Sequence, residues 1–231
     1  MLVTAATLRL CGINLTIRDN VLLNAYTTVI NFFGPLQSGP AFRAVYLKKT
    51  HKLALKKYAV ATLVYYFIFA LISGVFLLSG VLKWWFVPIT IGVGIVLFAL
   101  RKSPIITRRI GGININNWYL LAAATFLQLS IVATIYYIEL HTLSSQITFS
   151  QAIIYTGAAD FALFVSVTPG AIGFREAFLV FSHRLHHIGG GLIISANILD
   201  RVMYLILLIF LTIFIVIVHA KKQLSKEEVQ D

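Results

Sequence analysis

The sequence predicts an all-α, polytopic integral membrane helical bundle, and three observations carry that reading. Hydrophobic residues make up 59% of the 231 positions and charged residues only 12%, with a mean hydropathy of +0.88, far beyond the balance of water-soluble domains. The apolar residues gather in runs close to the roughly 20 helical residues that cross about 30 Å of hydrocarbon. The basic residues behind the net charge of +11 sit in blocks between those runs, a placement that fits topology and lipid headgroups rather than nucleic acid.

In chain order, Met1 to Asn20 carries Arg9 and Arg18 in a short apolar stretch. With no long apolar core and no small-residue cleavage site, it reads as an amphipathic lead-in and not as a signal peptide. Residues 24–47, NAYTTVINFFGPLQSGPAFRAVYL, are apolar but cut by proline and glycine, which predicts helix, break, helix. Spans follow at 58–80, 84–100 and 118–138. A second interrupted segment covers 152–185, a last span covers 191–219, and 220–231 forms a charged tail. Trp84, Trp85 and Trp118 stand at run ends, where an indole anchors at the membrane interface. Broken backbone at membrane depth is stable only where protein or a wet cavity satisfies its free N–H and C=O groups, so 24–47 and 152–185 are expected to be re-entrant hairpins. The single cysteine, Cys11, excludes an internal disulfide and leaves helix packing to hold the fold.

The basic blocks fix a topology. Arg9 and Arg18, the cluster from Arg43 to Lys57, the group Arg101, Lys102, Arg108 and Arg109, and finally Lys221, Lys222 and Lys226 all belong in the cytoplasm by the positive-inside rule. The hairpin at 152–185 then dips in from outside, the one at 24–47 dips in from the cytoplasm, and the C-terminus is cytoplasmic.

The two interruptions resemble each other. Pro35 lies four residues before Gly39 and leads to Arg43, while Pro169 lies four residues before Gly173 and leads to Glu176. Pro35 precedes Tyr66, in the next span, by 31 residues, and Pro169 precedes Arg201 by 32. The chain therefore divides into half-repeats 1–83 and 84–219 of opposite orientation. Inverted repeats with broken helices are a sequence sign of transporters, whose substrate sites form at the repeat interface. The first half lacks two amino-terminal spans that would complete the symmetry.

Several residues are candidates for chemistry. Arg201 lies ten residues beyond Gly191, about 15 Å along a helix and so near the bilayer centre. A charge there needs a partner. Glu176, Asp200 and Asp160 are the carboxylates considered, an anionic lipid phosphate is the alternative, and a permanent pair that pins the hairpin is the structural reading. Gly170 and Gly173 permit a sharp turn, and Pro169 stops the preceding helix. A helix starting after such a break would offer its N–H groups to a phosphate. His183, His186 and His187 share a helix face, but no fourth ligand is spaced for zinc. Gly189 to Gly191 lack the Lys-Ser/Thr of a phosphate loop. No metal and no cofactor are implied.

At GPLQSGPAFR and at TPGAIGFREAF with LDRVMYL after it, the chain resembles the transmembrane domain of the lysylphosphatidylglycerol synthase and flippase family, of the multiple-peptide-resistance-factor type, over roughly Arg9 to Val218. The resemblance implies a flippase-like role in the cytoplasmic membrane, a membrane lipid such as an anionic or aminoacylated phospholipid as partner, and no nucleic acid. It also implies site residues at Arg43, Pro169, Gly170, Gly173, Arg175, Glu176 and Arg201, supported by Pro35, Gly39, Asp160, Asp200 and Tyr66. The first motif departs from the family pattern: Pro40 holds the acidic position, Gln37 an arginine-like one, and Tyr65 and Tyr66 stand where a Glu-Arg pair is frequent. The second half is thus expected to carry most of the polar chemistry. The short tail HAKKQLSKEEVQD leaves no room for a soluble catalytic domain, so a transporter, not an enzyme, is expected. The other reading is a non-transporting scaffold for an envelope enzyme, and a homo-oligomer fits either.

Overall fold

The computed structural model of the protein describes residues 1–34, 38–82, 92, 117–165, 171 and 173–227. Helices make up nearly all of them and no strand occurs among them. The predicted span at 84–100 lies outside the described residues except for Gly92, and so do Pro35, Gln37, Pro169 and Gly170.

The helices are α1 (Leu2–Leu10), α2 (Ile17–Phe33), α3 (Gly39–His51), α4 (Leu55–Leu82), α5 (Trp118–Leu143), α6 (Phe149–Val165), α7 (Phe174–Phe181), α8 (His183–His186) and α9 (Gly190–Glu227). Three of them are long and apolar enough to cross a membrane: Leu55–Val81, Trp118–Leu143 and Gly190–His219. They answer to the predicted spans at 58–80, 118–138 and 191–219. The protein is an all-α membrane bundle.

The amphipathic lead-in contains α1, which buries Thr4, Ala6, Thr7, Leu8 and Leu10 and packs against α5 and α4. Its threonines do not oppose burial, because Thr7 Oγ1 donates to Val3 O at 2.8 Å and Thr4 Oγ1 donates to Asn24 Oδ1 at 2.7 Å. The helix closes at Gly12, whose φ is +74°. There the Gly12 and Ile13 N–H groups reach back to Arg9 O and Leu8 O, each at 3.0 Å, which satisfies carbonyls the helix leaves open.

Each interrupted segment folds as two helices packed on one another, α2 on α3 and α6 on α7. Thr16 caps α2 by accepting the Asp19 N–H at 3.2 Å, and α2 stops at Gly34. Gly39 then brings the start of α3 so close to α2 that a Cβ there would stand 2.9 Å from Thr27 O. Thr148 and Gln151 form a capping box at the head of α6, with the Thr148 N–H donating to Gln151 Oε1 at 3.0 Å and the Gln151 N–H donating to Thr148 Oγ1 at 3.4 Å.

Helix α6 is the interior element. Ala152, Tyr155, Thr156, Ala158, Ala159 and Ala162 are buried on it, and its packing on α4 is the most extensive helix contact. Small residues make that approach possible. At Gly157 a Cβ would fall 2.2 Å from the Leu77 backbone N. Helix α5 turns a stripe of Leu121, Thr125, Leu129, Ala133, Tyr136 and Leu140 inward, the spacing of one helix face. It joins a core of α1 to α4, around Leu8, Leu23, Leu47 and Ile68, to a second core around Tyr155, Leu179, Ile188 and Ile193. Beyond its buried start at Ile193, Ala196 and Asn197, α9 is largely uncovered, as suits a helix at the lipid boundary.

Candidate functional site

Two features bring the predicted residues together. The first is a cavity of about 630 Å³ between α1, α2, α3, α4, α5, α6 and α9. Its lining includes Gly39, Pro40 and Arg43 of α3, Thr27 and Asn31 of α2, Tyr65 and Tyr66 of α4, Gln128 of α5, Asp160 of α6 and Tyr204 of α9. Arg43 projects from the second turn of α3. Its Nη2 donates to Thr27 Oγ1 at 2.9 Å, while its Nε is buried with no hydrogen-bond partner. The start of α3 also faces the cavity, where Gly39 N–H donates to Asn31 Oδ1 at 3.2 Å. A helix start and a guanidinium together favour an anion. Asp160 is 5% exposed and its Oδ2 has no hydrogen-bond partner.

The second feature is a charge cluster where α7 meets α5 and α9. Arg175, 5% exposed, donates from Nη1 to Asp200 Oδ2 at 2.6 Å and from Nη2 to the Tyr136 hydroxyl at 2.7 Å, with its guanidinium carbon 5.3 Å from the Tyr136 ring centre. Arg201 donates from Nη2 to Glu176 Oε1 at 3.0 Å. The other oxygen of Glu176 accepts the Gly173 N–H at 2.7 Å. Gly173 has φ of +80°, a conformation that glycine adopts at little cost.

The predicted residues therefore separate into two groups. Arg201 takes Glu176, one of the carboxylates considered for it; Asp200 goes to Arg175 instead. The α7 start, expected to be open to a phosphate, is met by the chain's own Glu176. Gly173, Arg175, Glu176, Asp200 and Arg201 do not line the cavity, whereas Gly39, Arg43, Tyr66 and Asp160 do. Residues of both halves line the cavity, among them Arg43, Tyr65 and Tyr66 of the first and Gln128, Asp160 and Tyr204 of the second. Two second-half pairs, Arg175 with Asp200 and Arg201 with Glu176, are closed on themselves, while Arg43, with Pro40 in the acidic position, is in no ion pair among the described residues.

Sequence reasoning missed Tyr136, Glu139, Thr27 and Asn31. Glu139, whose Oε2 is buried without a partner, follows directly on the predicted span 118–138. As for the histidines, both ring nitrogens of His186 engage backbone, Nε2 at 3.1 Å from Leu179 O and Nδ1 accepting the Ile188 N–H at 3.2 Å. It has no lone pair left for a metal.

The sequence model of the lysylphosphatidylglycerol synthase TM region matches residues 2–212. No curated protein and no solved structure matches the chain. The match takes in both interrupted segments, two of the apolar helices whole and the third as far as Thr212, and the charge cluster, and it agrees with the resemblance carried by the two proline-glycine motifs: the chain belongs to the family of the lysylphosphatidylglycerol synthase transmembrane region.

Proposed function

We propose that the protein is a flippase-like translocator that takes a phospholipid headgroup into the cavity and passes it across the cytoplasmic membrane. The observation that carries this reading is Arg43: a guanidinium in no ion pair among the described residues, with a buried and unpartnered Nε, beside a helix start in a cavity of about 630 Å³. A lipid phosphate supplies the missing acceptor and charge. Asp160, Gln128 and the tyrosines offer partners for the rest of an anionic or aminoacylated headgroup. Membership of a family tied by name to a phospholipid synthase supports a membrane lipid as the partner. In this reading Arg175, Glu176, Gly173, Asp200 and Arg201 position the second hairpin, both hairpins are re-entrant, and the C-terminus is cytoplasmic. The transmembrane region moves or holds lipid and is not itself an enzyme.

The test is transbilayer movement of a headgroup-labelled anionic phospholipid in vesicles holding the purified protein. One charge-assisted hydrogen bond is worth about 1.5–3 kcal/mol, so Arg43→Gln is expected to slow movement roughly tenfold or more while leaving thermal stability near that of the wild type. Wild-type vesicles no faster than protein-free ones would refute translocation and favour the scaffold reading. That alternative draws on α9, whose apolar surface the rest of the described chain barely covers.

A further inference from the structure

Asp160 is a buried carboxylate in no ion pair among the described residues. It is 5% exposed, it lines the cavity, and its Oδ2 has no hydrogen-bond partner. The groups facing it come from every side of α6. From α7, Arg175 acts on it, but both terminal nitrogens of that guanidinium are engaged by Asp200 and Tyr136. From α9, Asp200 adds a like charge. Helix α5 brings Tyr136, and Arg43 of α3 and Met1 line the same cavity. Helix α4 brings Tyr65, and His186 of α8 is held by backbone on both nitrogens.

Arg201 and Glu176 satisfy each other, and Arg175 satisfies Asp200. Asp160 is in no ion pair among the described residues, and neither is Arg43, which lines the same cavity. A buried carboxylate oxygen that no donor meets, as at Asp160 Oδ2, is a position that a bound proton relieves. No group of His, Cys, Asp and Glu among the described residues is arranged to hold a metal ion.

We infer that Asp160 is a proton-exchange site in the cavity wall: its carboxylate takes a proton from hydronium, leaving water in the cavity, and the carboxyl returns it to water as carboxylate and hydronium. In the protonated form the O–H donates into the cavity and Arg175 remains with Asp200. In the ionised form Asp160 presents a negative charge to whatever the cavity holds. The proton site needs only the cavity; its use in driving lipid movement rests on the headgroup reading above, because a carboxylate and a headgroup sharing one cavity exchange charge with each other.

Infrared difference spectra of the protein in nanodiscs, taken while the pH is stepped, test the site without any transport. The expected result is a protonated-carboxyl stretching band that falls as pH rises, shifts in D2O, and loses half or more of its amplitude in Asp160→Asn. An unchanged band in a folded Asp160→Asn protein, or no titrating band in the wild type, overturns the site. Should Asp160→Asn fail to fold, Asp160→Glu keeps the acid but moves it, and a band unchanged in both midpoint and position overturns it equally. In sealed vesicles an imposed pH gradient is expected to change the extent of lipid movement at least twofold in the wild type and not in Asp160→Asn. A standing band with no lipid movement at all would sink the headgroup reading and leave the proton site in place.

Discussion

Replacing Asp200 with Asn tests how the second hairpin is held. The Arg175 side chain is 6% exposed and that of Asp200 is 22% exposed, with 2.6 Å between their charged atoms. Removing one partner of a buried pair strands the other, at about 3–5 kcal/mol. Tyr136 still accepts one guanidinium N–H, so the low end of that range, about 3 kcal/mol, applies. For a chain of this length about 2–4 °C of midpoint accompanies each kcal/mol, which puts the expected loss at about 6–12 °C. Glu176→Gln is the internal comparison. Its pair with Arg201 is more open, with side chains 32% and 23% exposed, and the amide oxygen can still accept the Gly173 N–H, so about 1 kcal/mol or less is at stake. Arg175→Met combined with Asp200→Leu removes both charges and should regain at least half of the Asp200→Asn loss, because an apolar pair costs less than a stranded ion. Thermal unfolding in detergent, followed by a fluorogenic maleimide that reacts with Cys11 as the fold opens, measures all three. If Asp200→Asn melts within a degree of Glu176→Gln, or the double variant is worse than either single one, the pin reading is wrong.

Further expectations concern packing, pH and thiol chemistry. Gly157→Ala should cost about 1–3 kcal/mol through overpacking, since its Cβ would collide with the Leu77 backbone at 2.2 Å; Gly74→Ala, with open space around the new methyl, should be neutral or slightly stabilising in the same melt. Burial holds the His186 imidazole below its ordinary value of 6.5. The unfolded chain therefore takes up the proton first as pH falls below about 6.5, and stability should decline from there toward the depressed folded value. His186→Gln should flatten that part of the stability curve in chemical unfolding followed by tryptophan fluorescence. Burial pushes the Cys11 thiol up to about 11, and the residue is 3% exposed, so maleimide labelling of the folded protein near pH 7.5 should be slower by an order of magnitude or more than labelling after denaturation.

The apolar helices were legible because hydropathy reports directly on bilayer-length runs. Their ends were not: α5 continues past 138 to Leu143 and α9 past 219 to Glu227, since helical hydrogen bonding continues beyond the apolar residues. Glu139 was lost at that border. Helix α1 was harder to read because nine residues containing two threonines and an arginine make a weak apolar pattern, and its threonines become compatible with burial only through bonds to Val3 and Asn24. The two proline-glycine motifs could be read from spacing, and they led to Arg43, Arg175, Glu176 and Arg201. Which of these remains open to a ligand could not be read. That depends on contacts such as Arg175 with Tyr136, 39 residues apart, and with Asp200, 25 apart, which hold these charges outside the cavity lining while Arg43 stays within it.

The central claim is that a lipid headgroup enters the cavity at Arg43, and cross-linking by a phospholipid with a photoactivatable group on its headgroup measures this most directly. The account predicts adducts on the peptides of α2 and α3 that carry Thr27, Asn31 and Arg43, reduced tenfold or more by Arg43→Gln while adducts elsewhere are unchanged. Adducts confined to the outer face of α9, with none on α2 or α3 and no effect of Arg43→Gln, would contradict it.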